Sequence, residues 1–207
     1  ARKADRPIRV VFPGSRLEYG RPAVLPAAES DPMHPLSPYG VNKLACELYL
    51  ELYSRLHGIS YAVGRLTNPY GPSVGGASTE YNVFNRLIAI AASGGDITLY
   101  GDGKQLRDYV FVDDAVKALA LLAACQANIT VNVGSGIGVT LRNATETIVR
   151  VVGRGQVVYV PWPADAQRVE TGDFVADITG MRALGWEPST ALEDGIRRTL
   201  TEGMLTP

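Results

Sequence analysis

Ser37-Pro38-Tyr39-Gly40-Val41-Asn42-Lys43 opens the segment on which the fold turns. Serine followed by proline fits an N-cap and a first helical position, so a helix starts here. Val41, Leu44, Ala45, Leu48 and Leu52 recur at helical spacing and give it a continuous apolar stripe. Gly58 ends the helix, and Ile59 to Leu66 reads as a strand. On the other side, Ile8-Arg9-Val10-Val11-Phe12 is an apolar, β-branched run closed by Pro13-Gly14. It predicts a short buried strand with a sharp exit. Between them Pro22, Pro26, Pro32 and Pro35 hold the chain in a loop without regular structure. Strand, helix and strand within about sixty residues are the signature of a parallel α/β sheet.

Farther out, Val112 to Ala124 reads as a helix leading into a strand at Thr130-Val131-Asn132-Val133. A helix from Val83 to Ala92, a strand from Ile97 to Tyr100, a helix from Leu141 and a closing helix from Leu192 to Gly203 read as a second, smaller lobe. The 207 residues suffice for one large or two small domains. With 46% apolar and 20% charged residues and a formal net charge of −1, nothing draws the chain to nucleic acid or to an anionic membrane. The longest apolar stretch, Ala118 to Cys125, is too short to span a bilayer. Ala1 to Arg9 is charged rather than hydrophobic, so no signal peptide is expected and a cytoplasmic location is. Cys46 and Cys125 fall in predicted helices and read as small buried hydrophobes, with a disulfide as the alternative. His34 and His57 are the only histidines and there is no cysteine pair, so no metal site is expected.

Two Tyr-x-x-x-Lys pairs occur, Tyr39/Lys43 and Tyr100/Lys104. The second encloses Gly101 and Gly103 and reads as a turn whose ends need not converge. The first lies in a capped helix, where four-residue spacing puts both side chains on one face. A lysine ammonium beside a phenol favours the phenolate, and a phenolate is an effective base for a sugar hydroxyl. The alternative is an amphipathic helix with a solvent-facing lysine. Ser15 stands just past the first strand, where a hydroxyl can project into the crevice at the strands' carboxyl ends, and Tyr19-Gly20 follows it.

This order of residues resembles the extended short-chain dehydrogenase/reductase family, above all its sugar-nucleotide epimerases and dehydratases of the UDP-glucose 4-epimerase kind. Five blocks carry the resemblance: Ser15 to Gly20, Ser37 to Lys43, Arg65 to Pro72, Tyr100 through Asp114, and Ala183-Leu184-Gly185-Trp186-Glu187-Pro188. The implied fold is α/β: the C-terminal half of a Rossmann-type parallel sheet beside a smaller α/β substrate-binding lobe. Residues 1–67 would form the partial sheet with its catalytic helix and 68–207 mainly the lobe, with 112–134 returning to the sheet.

The resemblance also implies roles. Ser15 would hydrogen-bond the substrate hydroxyl, Tyr39 would move its proton, and Lys43 would bind the nicotinamide ribose with Tyr39 beside it. Thr67 would line the nicotinamide pocket. Asn68 and Arg107 would hold a diphosphate, for which an arginine fork is suited; an internal salt bridge from Arg107 to Asp113 or Asp114 is the other use. Asn82, Val83, Thr98 and Tyr100 match positions around the nucleotide base, with ordinary packing almost as good an account of Asn82, Thr98 and Tyr100.

NAD is the expected cofactor, with NADP open. A nucleotide sugar is the expected substrate and a homodimer the expected assembly. Arg16 and Leu17 stand where the family's dehydratases carry an acidic pair, which favours epimerisation, at C4, over loss of water. A keto-sugar reductase, a 4,6-dehydratase-like enzyme and a non-catalytic nucleotide-binding relic are the alternatives. Glu170 stands where many epimerases have a phosphate-binding arginine, a part that Arg168 could take. Gly134-Ser135-Gly136-Ile137-Gly138 follows a strand, but Val139 occupies the third glycine's place, so it reads as a turn and not a dinucleotide loop. No such loop precedes Ile8, so the chain by itself is expected to be an inactive part of the enzyme, with Ile8 to Phe12 exposing a sheet edge.

Overall fold

The computed structural model describes residues 8–72, 82–164 and 170–203. In chain order its elements are β1 (Arg9–Ser15), a 3-10 turn (Arg16–Glu18), α1 (Pro38–His57), β2 (Ser60–Leu66), β3 (Asn68–Tyr70) and α2 (Val83–Ala92). There follow β4 (Ile97–Tyr100), β5 (Leu106–Phe111), α3 (Val112–Ala124), β6 (Ile129–Val133), β7 (Gly138–Thr140) and α4 (Leu141–Val152). The last are β8 (Val157–Val160), α5 (Thr179–Ala183) and α6 (Leu192–Gly203).

A parallel sheet in the order β1-β2-β6 lies between α1 and α3. β1 pairs with β2 from Arg9 opposite Ser60 to Ser15 opposite Leu66. The strand therefore passes through Pro13-Gly14 instead of ending there. β1 is an outer strand among the described residues, and an outer strand can carry a proline that lacks an N–H. Successive residues of β2 face opposite helices. Gly64 packs under Leu119 and Leu122 of α3, whereas Arg65 reaches Glu47 of α1. Ala62, Val131 and Val133 join Ala115, Ala118 and Leu122 in the core on the α3 side.

α1 begins and ends where its caps say. The Ser37 hydroxyl accepts from the Gly40 N–H at 3.1 Å, and Gly58 closes the helix at a φ of 64°. Its apolar stripe behaves otherwise than expected: Val41, Leu48 and Leu52 are exposed, Leu44 and Ala45 half-buried, and the residues turned fully inward are Gly40 and Glu47. The helix touches β1, β2 and the 3-10 turn, too narrow a base to cover twenty residues. Cys46, one position round from Glu47, is exposed for the same reason. Cys125 is half-buried just past α3, and both thiols are free.

The second core gathers Tyr70, Phe84, Leu87, Ile88, Ile97, Leu99, Ile148 and Ile196 from α2, β3, β4, α4 and α6. Here β3 and β5 run parallel, β5 and β7 antiparallel, and β4 and β8 parallel. β5 belongs to both cores: Val110 packs into the first, Tyr109 and Phe111 into the second. A small third core of Tyr19, Ala27, Phe174, Ala176 and Ile178 ties the proline-rich loop to the segment after Gly172. No described helix is long and apolar enough to cross a membrane, and the described residues hold no group of three metal-ligating side chains.

Candidate active site

The end of β1, the 3-10 turn and the first turn of α1 meet at Ser15. Lys43 Nζ donates to the Pro13 carbonyl at 2.7 Å and lies 4.8 Å from the Phe12 ring centroid and 5.6 Å from that of Tyr39. Gly40 rests so closely on the Leu17 carbonyl that a Cβ there would collide with it. Ser15 thus sits between the two points, Pro13 and Leu17, at which the Tyr39–Lys43 turn is fastened. Its Oγ accepts from the Leu17 N–H at 3.2 Å, and its own proton has no acceptor among the described residues. Tyr39 is 53% exposed, with its phenol on the open side of the helix.

Under Ser15 lies a buried carboxyl pair. Glu18 Oε1 accepts from the Ser15 N–H at 2.7 Å, which with the Ser15 hydroxyl completes a capping box. Arg65 reaches Glu47 through Nε at 3.1 Å and through a second, shorter contact from Nη2, and its Nε is 3.7 Å from Glu18 Oε2. Its Nη1 donates to the Tyr19 hydroxyl at 2.7 Å, and that hydroxyl donates to Asn132 Oδ1 at 2.7 Å. Burial first, and then Glu47, push the Glu18 carboxyl up to about 8. Glu18 Oε2 has no hydrogen-bond partner among the described residues, and a proton on this carboxyl would let it donate to Glu47. One guanidinium serves two carboxyls because a proton serves the second.

On the other side of the turn the balance reverses. Arg16 donates from Nε to Asn68 Oδ1 at 3.1 Å and from Nη1 to Thr171 Oγ1 at 3.2 Å. Arg107 pairs with Glu170 at 2.5 Å, not with Asp113 or Asp114, and donates to the Gly172 carbonyl at 2.7 Å. Asp113 instead holds Arg198, and Asp114 accepts from Ser189 and Thr190. Burial, and next to it the Arg107 charge, draw the Arg16 guanidinium down to about 10.

Asn68 adds a hydrogen bond from Nδ2 to the Asp108 carbonyl at 2.7 Å. Thr67 is turned inward, 6% exposed, with its hydroxyl 3.4 Å from Asp108 Oδ1, so it offers no free hydroxyl to a nicotinamide pocket in this arrangement. Residues 134–137 are indeed a loop, and Gly138 opens β7. The backbone N–H groups of Ser135 and Gly136 wrap the Asp108 carboxylate, and a Cβ at Gly134 would stand 2.6 Å from its Oδ2. An anion-cradling loop is already filled by the chain's own aspartate.

The residues expected at a nucleotide base are not drawn to Ser15 by any described contact. Asn82 caps α2 through the Asn85 N–H and donates to the Pro69 carbonyl, and Val83 beside it is exposed. Thr98 and Tyr100 share the outward face of β4, where the Tyr100 ring lies 5.6 Å from that of Trp162. Lys104 pairs with Asp102 across the Gly101–Gly103 turn and leaves Tyr100 alone. Arg168 lies outside the described residues. Glu18 and Glu47 were missed as site neighbours, although Ser15-Arg16-Leu17-Glu18 spells a capping box; Asp108 carried no local signal.

A sequence model of the NAD dependent epimerase/dehydratase family matches residues 1–134, and the chain belongs to that family. It is similar to a putative UDP-glucose 4-epimerase of Methanocaldococcus jannaschii, 35% identical over 195 residues that cover 93% of this chain and 62% of the relative. Among solved structures, the Thermotoga maritima UDP-glucose 4-epimerase with UDP-glucose is 32% identical with a TM-score of 0.85, over 95% of this chain and 63% of that one. The Thermus thermophilus UDP-glucose 4-epimerase in complex with NAD is 30% identical with a TM-score of 0.83, over 95% and 64%. The fold is therefore a Rossmann-type α/β sheet, present in part, with its smaller lobe. The chain spans less than two thirds of the length of these relatives.

Proposed function

We propose that the protein carrying this chain epimerises a nucleoside-diphosphate sugar, at C4, by transient oxidation and re-reduction of that carbon. The observation that carries the proposal is the Tyr39–Lys43 turn fastened on both sides of Ser15. Ser15 has a hydroxyl proton free to hydrogen-bond the sugar oxygen, and the exposed Tyr39 side chain would take the sugar hydroxyl's proton as phenolate and return it as phenol. The exposed phenol and the three-donor ammonium of Lys43 suit the hydroxyls of a ribose, so NAD fits this end of the chain. When bound, NAD would accept and return a hydride. Loss of water is disfavoured because Arg16 and Leu17 follow Ser15, and the next carboxyl, Glu18, faces the Ser15 backbone, Glu47 and Arg65. The homodimer belongs to the same proposal: α1 exposes Leu48, Tyr49, Leu52, Tyr53 and Leu56.

Incubation with UDP-sugars in deuterated water tests the reaction type. Unchanged mass with inverted stereochemistry is expected; a product lighter by one water with solvent deuterium incorporated would make it a dehydratase. Tyr39→Phe in the active enzyme should lower turnover by about 10²-fold or more while cofactor binding persists. Near-normal turnover would reduce the Tyr39–Lys43 pair to an ordinary helix face.

A further inference from the structure

The proposed chemistry gives no task to Arg16, the residue after Ser15. Its side chain is 8% exposed, and its hydrogen-bond partners among the described residues, Asn68 and Thr171, are both neutral. The Phe174 ring centroid is 5.6 Å from its Cζ. Glu170, the carboxylate beside it, is committed elsewhere: Oε1 accepts from Arg107 at 2.5 Å and from the Gly172 N–H at 3.0 Å. Asp108 is committed too, to donors from Ser135, Gly136 and Ala176. Among the described residues, two buried guanidiniums therefore share one carboxylate. A buried cation without a counter-charge is costly, and a guanidinium does not shed its proton near neutrality.

We propose that Arg16 and Arg107 form one anion-binding pair that takes an anionic group of the ligand, and that Glu170 stands in for that group when the ligand is away. Paired guanidiniums donate in parallel to a phosphate or a carboxylate alike. The inference rests on the nucleotide-sugar reading above, in which the anion is either the diphosphate or a carboxylate on the sugar.

Calorimetric titration of the chain with inorganic pyrophosphate, UDP, UDP-glucose and UDP-glucuronate tests it, in the unaltered protein and in Arg16→Gln and Glu170→Gln. Arg16→Gln should weaken at least one of these ligands about tenfold or more, and Glu170→Gln should tighten the same ligand about threefold or more. A loss across all four assigns the pair to the diphosphate, and a loss confined to UDP-glucuronate assigns it to the sugar carboxylate. Should Arg16→Gln fail to fold by circular dichroism, Glu170→Gln at its partly exposed position decides alone. Variants that bind every ligand as the unaltered chain does overturn the pair while leaving the nucleotide-sugar reading in place. Pyrophosphate binding without UDP binding leaves the pair and removes that reading. Binding of none of the four overturns both.

Discussion

Two buried charge clusters diverge from one 3-10 turn, and they are opposites. Glu18 points into a cluster of two carboxyls around the Arg65 guanidinium; Arg16, two residues earlier, points into a cluster of two guanidiniums around the Glu170 carboxylate. A surplus carboxyl has an internal remedy, because a proton neutralises it and Glu18 at about 8 keeps that proton through neutral pH. A surplus guanidinium has none, because even at about 10 Arg16 stays charged there. The first cluster is closed and can serve as a foundation. The second is open and asks for a ligand.

The largest effect that should separate them comes from Arg65. Arg65→Met leaves Glu18 and Glu47 buried without their cation, and denaturant unfolding at pH 7 should show a loss of about 3–5 kcal/mol. A loss below 1 kcal/mol would mean that the closed cluster is not a foundation. Next is Asp108, which anchors the open side by holding the Gly134 loop and the Asn68 amide. Asp108→Asn puts an N–H against donors, so unfolding should show a loss of about 2 kcal/mol. An unchanged midpoint would separate the loop's shape from its aspartate.

The smallest effect depends on pH. Glu18 titrates at about 8 in the folded chain against 4.5 ordinarily, so folding binds a proton that unfolding releases. Its contribution is complete below 4.5 and drains as pH rises through 8. Glu18→Gln mimics the protonated form, so its stability relative to the unaltered chain should improve by at least about 1 kcal/mol between pH 5 and pH 8. A difference that stays flat across that range would show that Glu18 is ionised throughout and that the closed cluster has no proton in it.

The parts of the fold that were legible are those with caps and periodicity of their own. α2, α3 and α6 run over the expected residues, as does β4, and α1 starts on Ser37 and stops at Gly58. β3 and β7, at three residues each, are too short to show alternation. β5 was hidden because Arg107 and Asp108 are charged yet buried, for partners at Glu170 and Ser135 that no local pattern announces. The exposed stripe of α1 shows the complementary failure: periodicity says which face is apolar but not whether a partner covers it. At the candidate site, the convergence of Tyr39 and Lys43 on the Ser15 turn could be read from motif and spacing. The electrostatic character of the turn between them could not, since Arg16 finds Thr171 and Arg65 finds Glu47 only through the fold.

β5 has a consequence for how the chain comes apart. One strand supplies Val110 to one hydrophobic core and Tyr109 and Phe111 to the other, and α3 begins at its last residue. Melting either core would strip one face of β5 and pull at the start of the helix that covers the parallel sheet. Opening either half would therefore disturb the other through β5, which couples sheet and lobe. A strain introduced in the lobe then reaches the sheet through β5.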